Sequence, residues 1–356
     1  MIKCVSIHNF KALQRLENMA LGNITLIGGK NNAGKSSFLE SLFLYLDRRN
    51  PDKFHKQLAF REMVFSLQEP ESSWKPFFYN FDLSKNICII VQDELKSGKL
   101  SIRYESDFSP KFITIANNGV VQNQTINKQQ FPSLFVKHEN SDNIVDLDTH
   151  SYIIDQGINY CIDKDVSQKI KSANYASPKQ TLDILNPQRL GTLDKNDEQE
   201  KILSILRIFE PKLKGLQLIK VGLNDVIYAV FDGKNKIPVN FLGTGFCRCL
   251  TLALTIATNE HGILFVDEIE NGMHHSFLND FWGFLIEAAK LYNNQIIATT
   301  HSYEMISSFS EITREKQYKD IAYIRLGKDN NGVVSAYHFN YEELAFSILK
   351  HEMEVR

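Results

Sequence analysis

Hydrophobic and polar positions change rhythm several times along this chain. Over residues 1–30 they alternate through “IKCVSIHNF”, a turn, and “LENMALGNITLIG”, which predicts a hairpin or meander. Residues 36–48 carry Phe38, Leu42 and Tyr45 at helical spacing and predict a helix. Residues 50–80 are mixed: “FREMVFSL” fits a helix and “EPESSWKPFFYN” a loop. From residue 82 come short β-rich runs, “NICIIVQDE”, “KLSIRYES” and “KFITIANNGVVQNQTI”, split by Asn, Gly and Ser turns. Residues 140–190 are polar, and “SYIIDQGINYCI” fits strand or helix.

The second half has a different rhythm. Residues 194–209 read as one amphipathic helix with an acidic start. Strands follow at “GLQLIKV”, “VIYAVFD” and “KIPVNFL”. Then helix and strand alternate: “GFCRCLTLALTIATNEHG”, “ILFVDE”, “SFLNDFWGFLIEAAKLYN”, “QIIATTH”, “YEMISSF”. The tail gives “IAYIRLGK”, “GVVSAYHF” and a helix at “NYEELAFSILKHEMEV”. Such alternation predicts an α/β fold with a parallel sheet and flanking helices. The organisation expected is an N-terminal part at 1–95, a β-rich insertion or subdomain at 96–190 and a C-terminal part at 191–356.

Composition narrows the classes. The 356 residues carry 40 Lys and Arg against 42 Asp and Glu, so no global basic field argues for nucleic acid. A local lean exists at Lys3, Lys11, Arg15, Arg48 and Arg49. The five cysteines are scattered and lack a C-x-x-C pair, which suits free thiols in a reducing cytoplasm. No signal peptide is read at the start, and no apolar stretch approaches a membrane span.

The chemistry starts at residues 26–43, “LIGGKNNAGKSSFLESLF”. Gly29, Lys30, Asn31, Asn32, Ala33, Gly34, Lys35 and Ser36 fit G-x-x-x-x-G-K-[ST], between the expected strand “LGNITLI” and the helix that begins near Ser37. Backbone N–H groups of such a loop and the positive end of the helix favour phosphate. Lys35 is expected on the β- and γ-phosphates of a nucleoside triphosphate, and the Ser36 hydroxyl on Mg²⁺.

Two further segments complete the pattern. “ILFVDE” is a continuous apolar run ending in two carboxylates, as a strand buried on both faces would be. Asp267 at its end is expected to hold the hydrated Mg²⁺, and Glu268 to act as general base or polariser of water. His301, after “QIIATT”, is expected to sense the γ-phosphate. “NFLGTGFCRCLTLAL” is a second glycine turn before a helix, and Gly243, Thr244 and Gly245 form a second candidate anion cradle. One explanation for two cradles is a composite site, with the second capping a nucleotide held by another subunit.

In sequence order, “GGKNNAGKSS”, “LGTGF”, “ILFVDE” and “TTHS” resemble an ABC-type ATPase head of the SMC/Rad50/RecF branch. More narrowly the chain is similar to the AAA15/AAA21 and OLD-like ATPases of bacterial antiphage defence loci, whose opening “VSIHNFKAL” followed by “ITLIGGKNNAGKSSFLESL” matches closely. The likeness covers about 1–95 and 195–356 and is weak over the insertion.

The resemblance implies a homodimer, or a higher oligomer, formed around two ATPs with Mg²⁺. It implies that Lys35, Ser36, Asp267, Glu268 and His301 carry hydrolysis, that residues 242–246 contact the partner's nucleotide, and that Asn271, Gly272 and Met273 form the D-loop. Gly243 stands where the family usually has Ser, so a signature hydroxyl has to come from Thr244. Gln68 and Gln92 are the candidates for the Q-loop glutamine.

No zinc hook or long heptad run is present, and only about 55 residues follow His301, too few for the Toprim nuclease domain of OLD proteins. The leading expectation is therefore an ATP-gated switch in antiphage defence that controls a separately encoded effector. A DNA-repair ATPase binding duplex DNA through the basic lean is the alternative. A transporter subunit fits least, because a clear signature sequence and Q-loop are missing.

Overall fold

The computed structural model describes residues 1–350 apart from 64–65, 67–68, 111–112, 118–119, 125–129, 155–156, 167–170, 179–181 and 233–235. Gln68 lies outside the described residues.

Two large sheets organise the chain. The first is antiparallel: β1 (Ile2–Phe10), β2 (Leu13–Ala20), β4 (Ile87–Asp93), β5 (Ser97–Phe108), β8 (Phe131–Asn140), β9 (Val145–Ile154) and β10 (Gly157–Asp165), in the order β10-β9-β8-β5-β4-β1-β2. The second contains β3 (Ile24–Gly28), β11 (Ala173–Ala176), β15 (Ile263–Val266), β16 (Gln295–Thr299), β17 (Ile321–Lys328) and β18 (Val334–Phe339), in the order β11-β15-β16-β3-β17-β18. All pairings in this second sheet are parallel except β17 with β18. Smaller sheets are formed by β6 (Ile113–Asn117) with β7 (Val120–Gln124), and by β12 (Gly215–Val221), β13 (Asn224–Val230) and β14 (Lys236–Pro238).

The helices are α1 (Lys35–Leu46), α2 (Lys53–Ala59), α3 (Pro70–Trp74), α4 (Asn186–Lys195), α5 (Gln199–Leu206), α6 (Thr244–Ala257), α7 (Leu278–Leu291), α8 (Tyr303–Glu315) and α9 (Tyr341–Lys350). The parallel sheet is sandwiched. Leu264, Val266, Ile296 and Ala298 face a core shared with α5–α8. Ile263, Phe265 and Ile297 face a second core made by α1 and the antiparallel sheet. Burial on both faces explains the continuous apolar runs seen in the sequence.

The α/β expectation holds, and three local readings change. Residues 194–209 are not one helix: Asp197 adopts φ +56° and separates α4 from α5. Asn and Asp tolerate that conformation and make turns, so “DKND” breaks the run. Pro70 in the first turn of α3 starts a short helix inside “EPESSWKPFFYN”, which reads as loop in the sequence. The ambiguous “SYIIDQGINYCI” contributes to two strands, because β9 and β10 pair antiparallel in register Gly157 to Ile154.

The region expected as an insertion is split between the sheets. Strands β5 and β8–β10 extend the antiparallel sheet begun by β1, β2 and β4. Within the same stretch, β11 pairs with β15 and brings Tyr175 into the parallel sheet.

Candidate active site

The loop between β3 and α1 is shaped by positions that only glycine fills. Gly29 has φ +134°, and a Cβ there would lie 2.2 Å from the Leu326 carbonyl oxygen. Gly34 caps α1 at φ +91°, where a Cβ would meet the Leu13 side chain at 2.8 Å. The first turn of α1 holds no acid, so its N–H groups face the loop without a carboxylate partner there. Ala33 and Ser37 are buried, while Asn31 and Asn32 are exposed on the rim. Lys35 is buried, and its Nζ donates to the carbonyls of Gly29 (2.7 Å) and Lys30 (2.9 Å). Burial pushes this ammonium below the ordinary lysine value, against the pull of Glu270, Asp267 and Glu268.

The acids arrive from the parallel sheet. Strand β15 lies one strand away from β3, across β16, so its carboxyl end opens beside the loop. Three hydroxyls hold Asp267: Ser36 Oγ donates to Oδ1 at 3.1 Å, Thr299 Oγ1 to Oδ1 at 2.5 Å, and Tyr175 OH to Oδ2 at 3.1 Å. Glu268 has φ +47°, its N–H donates to Thr299 Oγ1 at 2.8 Å, and its Oε2 accepts from Asn271 Nδ2 at 2.9 Å. A cavity of about 270 Å³ lies between the two elements, walled by Asn31–Ser37, Asp267, Glu268 and Arg61.

His301 does not line this cavity directly. It is held beside it by Glu270, whose Oε1 accepts from the His301 backbone N–H at 2.7 Å and lies 2.8 Å from Nδ1. A carboxylate on Nδ1 leaves Nε2 as the ring nitrogen available to a ligand. Glu270, the third acid after the apolar run “ILFV”, carries no signal of its own in the sequence.

Three other groups were not anticipated. Arg248 lies fully buried on α6, and its guanidinium donates to the carbonyls of Asp267 and Glu268, both at 3.1 Å. It ties the helix after the second glycine turn to the acid loop. A lone arginine inside the apolar run Cys247–Ala257 was a usable signal. Arg61 reaches the cavity wall with its guanidinium clamped by Glu40, at 2.7 Å for Nε. Tyr175 came from a stretch with no readable period.

The other predicted residues fall elsewhere. Gly243, Thr244 and Gly245 do not line the cavity of their own chain. Thr244 Oγ1 instead approaches the Gly272 carbonyl at 3.5 Å. Gln92 is exposed on β4 opposite Cys4, while the cavity adjoins the Lys11 end of β1. The residues of the basic lean are paired or buried: Lys11 pairs with Glu40 (2.8 Å), Arg15 with Glu17 (2.7 Å), Arg49 with Asp165 (3.3 Å) and Lys3 with Glu94 (3.6 Å), and Arg48 is buried. Among the described residues no helix is long and apolar enough to cross a membrane.

The residues fit a magnesium-bound triphosphate. The loop's carbonyls hold Lys35 where a phosphate would compete for it. Ser36 and Asp267 offer a hydroxyl and a carboxylate 3.1 Å apart. Such a pair suits Mg²⁺, which keeps waters and takes further oxygens from the phosphates.

The family described as “AAA domain, putative AbiEii toxin, Type IV TA system” matches residues 24–307. A Helicobacter pylori protein described as an ATP/GTP phosphatase is 26% identical over 352 residues, covering 89% of this chain and 90% of its own. An uncharacterized protein of Methanocaldococcus jannaschii is 47% identical over 49 residues, 14% of this chain and 22% of its own. The solved structure of an Smc head bound to the C-terminal winged-helix domain of ScpA matches with TM-score 0.53 and 12% identity, covering 96% of this chain and 98% of that one. The fold is therefore that of an SMC-type head, with mixed sheets and flanking helices.

Proposed function

The chain belongs to this AAA-domain family, and from that premise we propose that it is an ATP-hydrolysing, nucleotide-gated switch in antiphage defence. The observation that carries the hydrolytic part is the Ser36–Asp267 hydrogen bond, 3.1 Å between residues 231 apart in sequence. Lys35 and the N-terminus of α1 bind the β- and γ-phosphates. Ser36 and Asp267 hold Mg²⁺, which supplies positive charge against the phosphate oxygens when bound. Glu268 orients the attacking water and accepts its proton. His301 offers Nε2 toward the terminal phosphate, held in place by Glu270. Gly243–Gly245 meet the nucleotide of a second copy, which accounts for their distance from the cavity of their own chain. The description of the Helicobacter pylori relative supports hydrolysis.

The defence role draws support from the family description, which names a toxin and a Type IV toxin–antitoxin system. An Smc head bound to a domain of another protein offers a precedent for a separately encoded partner. We assign the ATPase head to 1–95 and 191–356 and the partner-specific surface to 96–190, with β11 as the exception that joins the head. The five free cysteines suit the cytoplasm.

The test is co-purification at native expression, with hydrolysis measured for wild type and Glu268→Gln. A stoichiometric partner retained on the ATP-loaded Glu268→Gln protein supports the switch. Turnover without a partner, stimulated by duplex DNA and lost as salt rises, replaces it with a DNA-repair ATPase.

A further inference from the structure

A second cavity of about 560 Å³ shares a wall with the phosphate cavity. The two share Ala12, Asn32, Ser37 and Arg61. Loop chemistry fixes how a nucleotide would lie across them. Asp267 and Glu268 mark the terminal-phosphate end of the first cavity, and they do not reach the second. Ser37, one residue beyond the hydroxyl bonded to Asp267, stands on the shared wall. A nucleoside triphosphate with its last phosphate at Glu268 therefore carries its ribose and base into the second cavity.

The far wall there is made by Phe77–Phe81 and by the turn containing Lys328 and Asn331. Phe77 and Phe78 are buried and anchor the segment. Asn80 and Phe81 both adopt left-handed backbone, at φ +52° and +59°. Phe81 lines the cavity and is left 65% exposed. A bulky residue in this conformation is costly, and such strain concentrates at ligand clamps.

The inner polar side chains of this wall, Lys11, Gln57 and Arg61, are already bonded to one another or to Glu40. The buried amide on its wall, Gln57, is committed at both ends: Nε2 donates to the Glu40 carbonyl at 2.9 Å and Oε1 accepts from Lys11 at 3.1 Å. Asn80, Asn331 and Lys328 are exposed, so water satisfies them when a base does not. Strong discrimination between bases requires buried polar groups that the wrong base leaves unpaired. We propose that Phe81 is the base platform of this site: it stacks on the purine of a nucleoside triphosphate and accepts adenine and guanine alike.

This inference rests on the reading of the first cavity as a phosphate site, and the experiment separates the two. Binding of MgADP and MgGDP is measured by calorimetry for wild type, Lys35→Ala and Phe81→Ala, with melting temperatures to verify folding. Phe81→Trp adds a fluorophore at the platform, read as the signal in excess of wild type. Phe81→Ala is expected to weaken both nucleotides about tenfold and by the same factor, the scale of one lost base stack. Both nucleotides should quench the Phe81→Trp emission. Wild-type binding of both with unchanged affinity in Phe81→Ala overturns the inference alone. So does a preference above about 100-fold for one purine, which would reveal an edge reader. Wild-type binding of neither overturns the phosphate site and the platform together.

Discussion

Two helices of this molecule begin at glycine-containing turns, and they are built differently. Before α1, glycine is obligatory: both Gly29 and Gly34 have positive φ, and a Cβ on either would clash. Lys35 is buried against the loop carbonyls of Gly29 and Lys30. Before α6, Gly243 has an ordinary φ of −56°, and a Cβ there would meet nothing within 4 Å. Its neighbour Phe241 is 82% exposed. The first turn is closed in by its neighbours, and the second is open at Gly243. Arg248 connects them, since it leaves the second helix and grips the carbonyls of Asp267 and Glu268.

The contrast can be broken by substitution. The largest effect is expected from Glu268→Gln, which should lower steady-state hydrolysis by about 100- to 1000-fold while nucleotide binding by calorimetry is retained. Loss of binding instead would make Glu268 part of the cradle. Next, Gly29→Ala should cost about 3 kcal/mol or more in urea unfolding, because the atom it meets is backbone and cannot swing away.

Acid should loosen the first helix but spare the second. Tyr45 on α1 donates to His138 Nε2 at 3.1 Å, and Asp146 lies 2.6 Å from Nδ1. Burial, aided by Arg48, pushes His138 down to about 4, against the pull of Asp146. The unfolded chain takes up this proton near pH 6.5, and the folded chain does so only near the lowered value. The stability involved is thus full above pH 6.5 and lost as pH falls toward 4, on the order of 3 kcal/mol. Urea midpoints at pH 7.5, 5.5 and 4.5 should show this slope, and His138→Gln should flatten it. An equal slope in the variant would remove His138 as its source. The smallest effect belongs to Gly243→Ala: stability should stay within about 0.5 kcal/mol of wild type, since the space is open. A cost near that of Gly29→Ala would mean that the second turn is as preorganised as the first.

Much of this was legible in the chain itself. A strand buried on both faces has to read as an unbroken apolar run, so “ILFVDE” and “QIIATT” identified the parallel sheet and placed Asp267, Glu268 and His301 at strand ends. The phosphate loop was legible because its backbone geometry needs glycine at fixed positions. Both signals are local, set by a few consecutive residues.

What the sequence left undetermined depends on residues far apart in the chain. Tyr175 meets Asp267 across 92 positions, Arg61 meets Glu40 across 21, and Arg248 meets Glu268 across 20. No period along the chain encodes such pairings, since each arises when separate elements pack. Whether a lysine is surface or core was equally tertiary: Lys3 and Lys11 look alike in sequence, yet only Lys11 is drawn inside by a buried carboxylate, Glu40. The same holds for the two glycine turns. Composition made them look equivalent, and the neighbours brought by folding filled the space around Gly29 and Gly34 and left it open at Gly243.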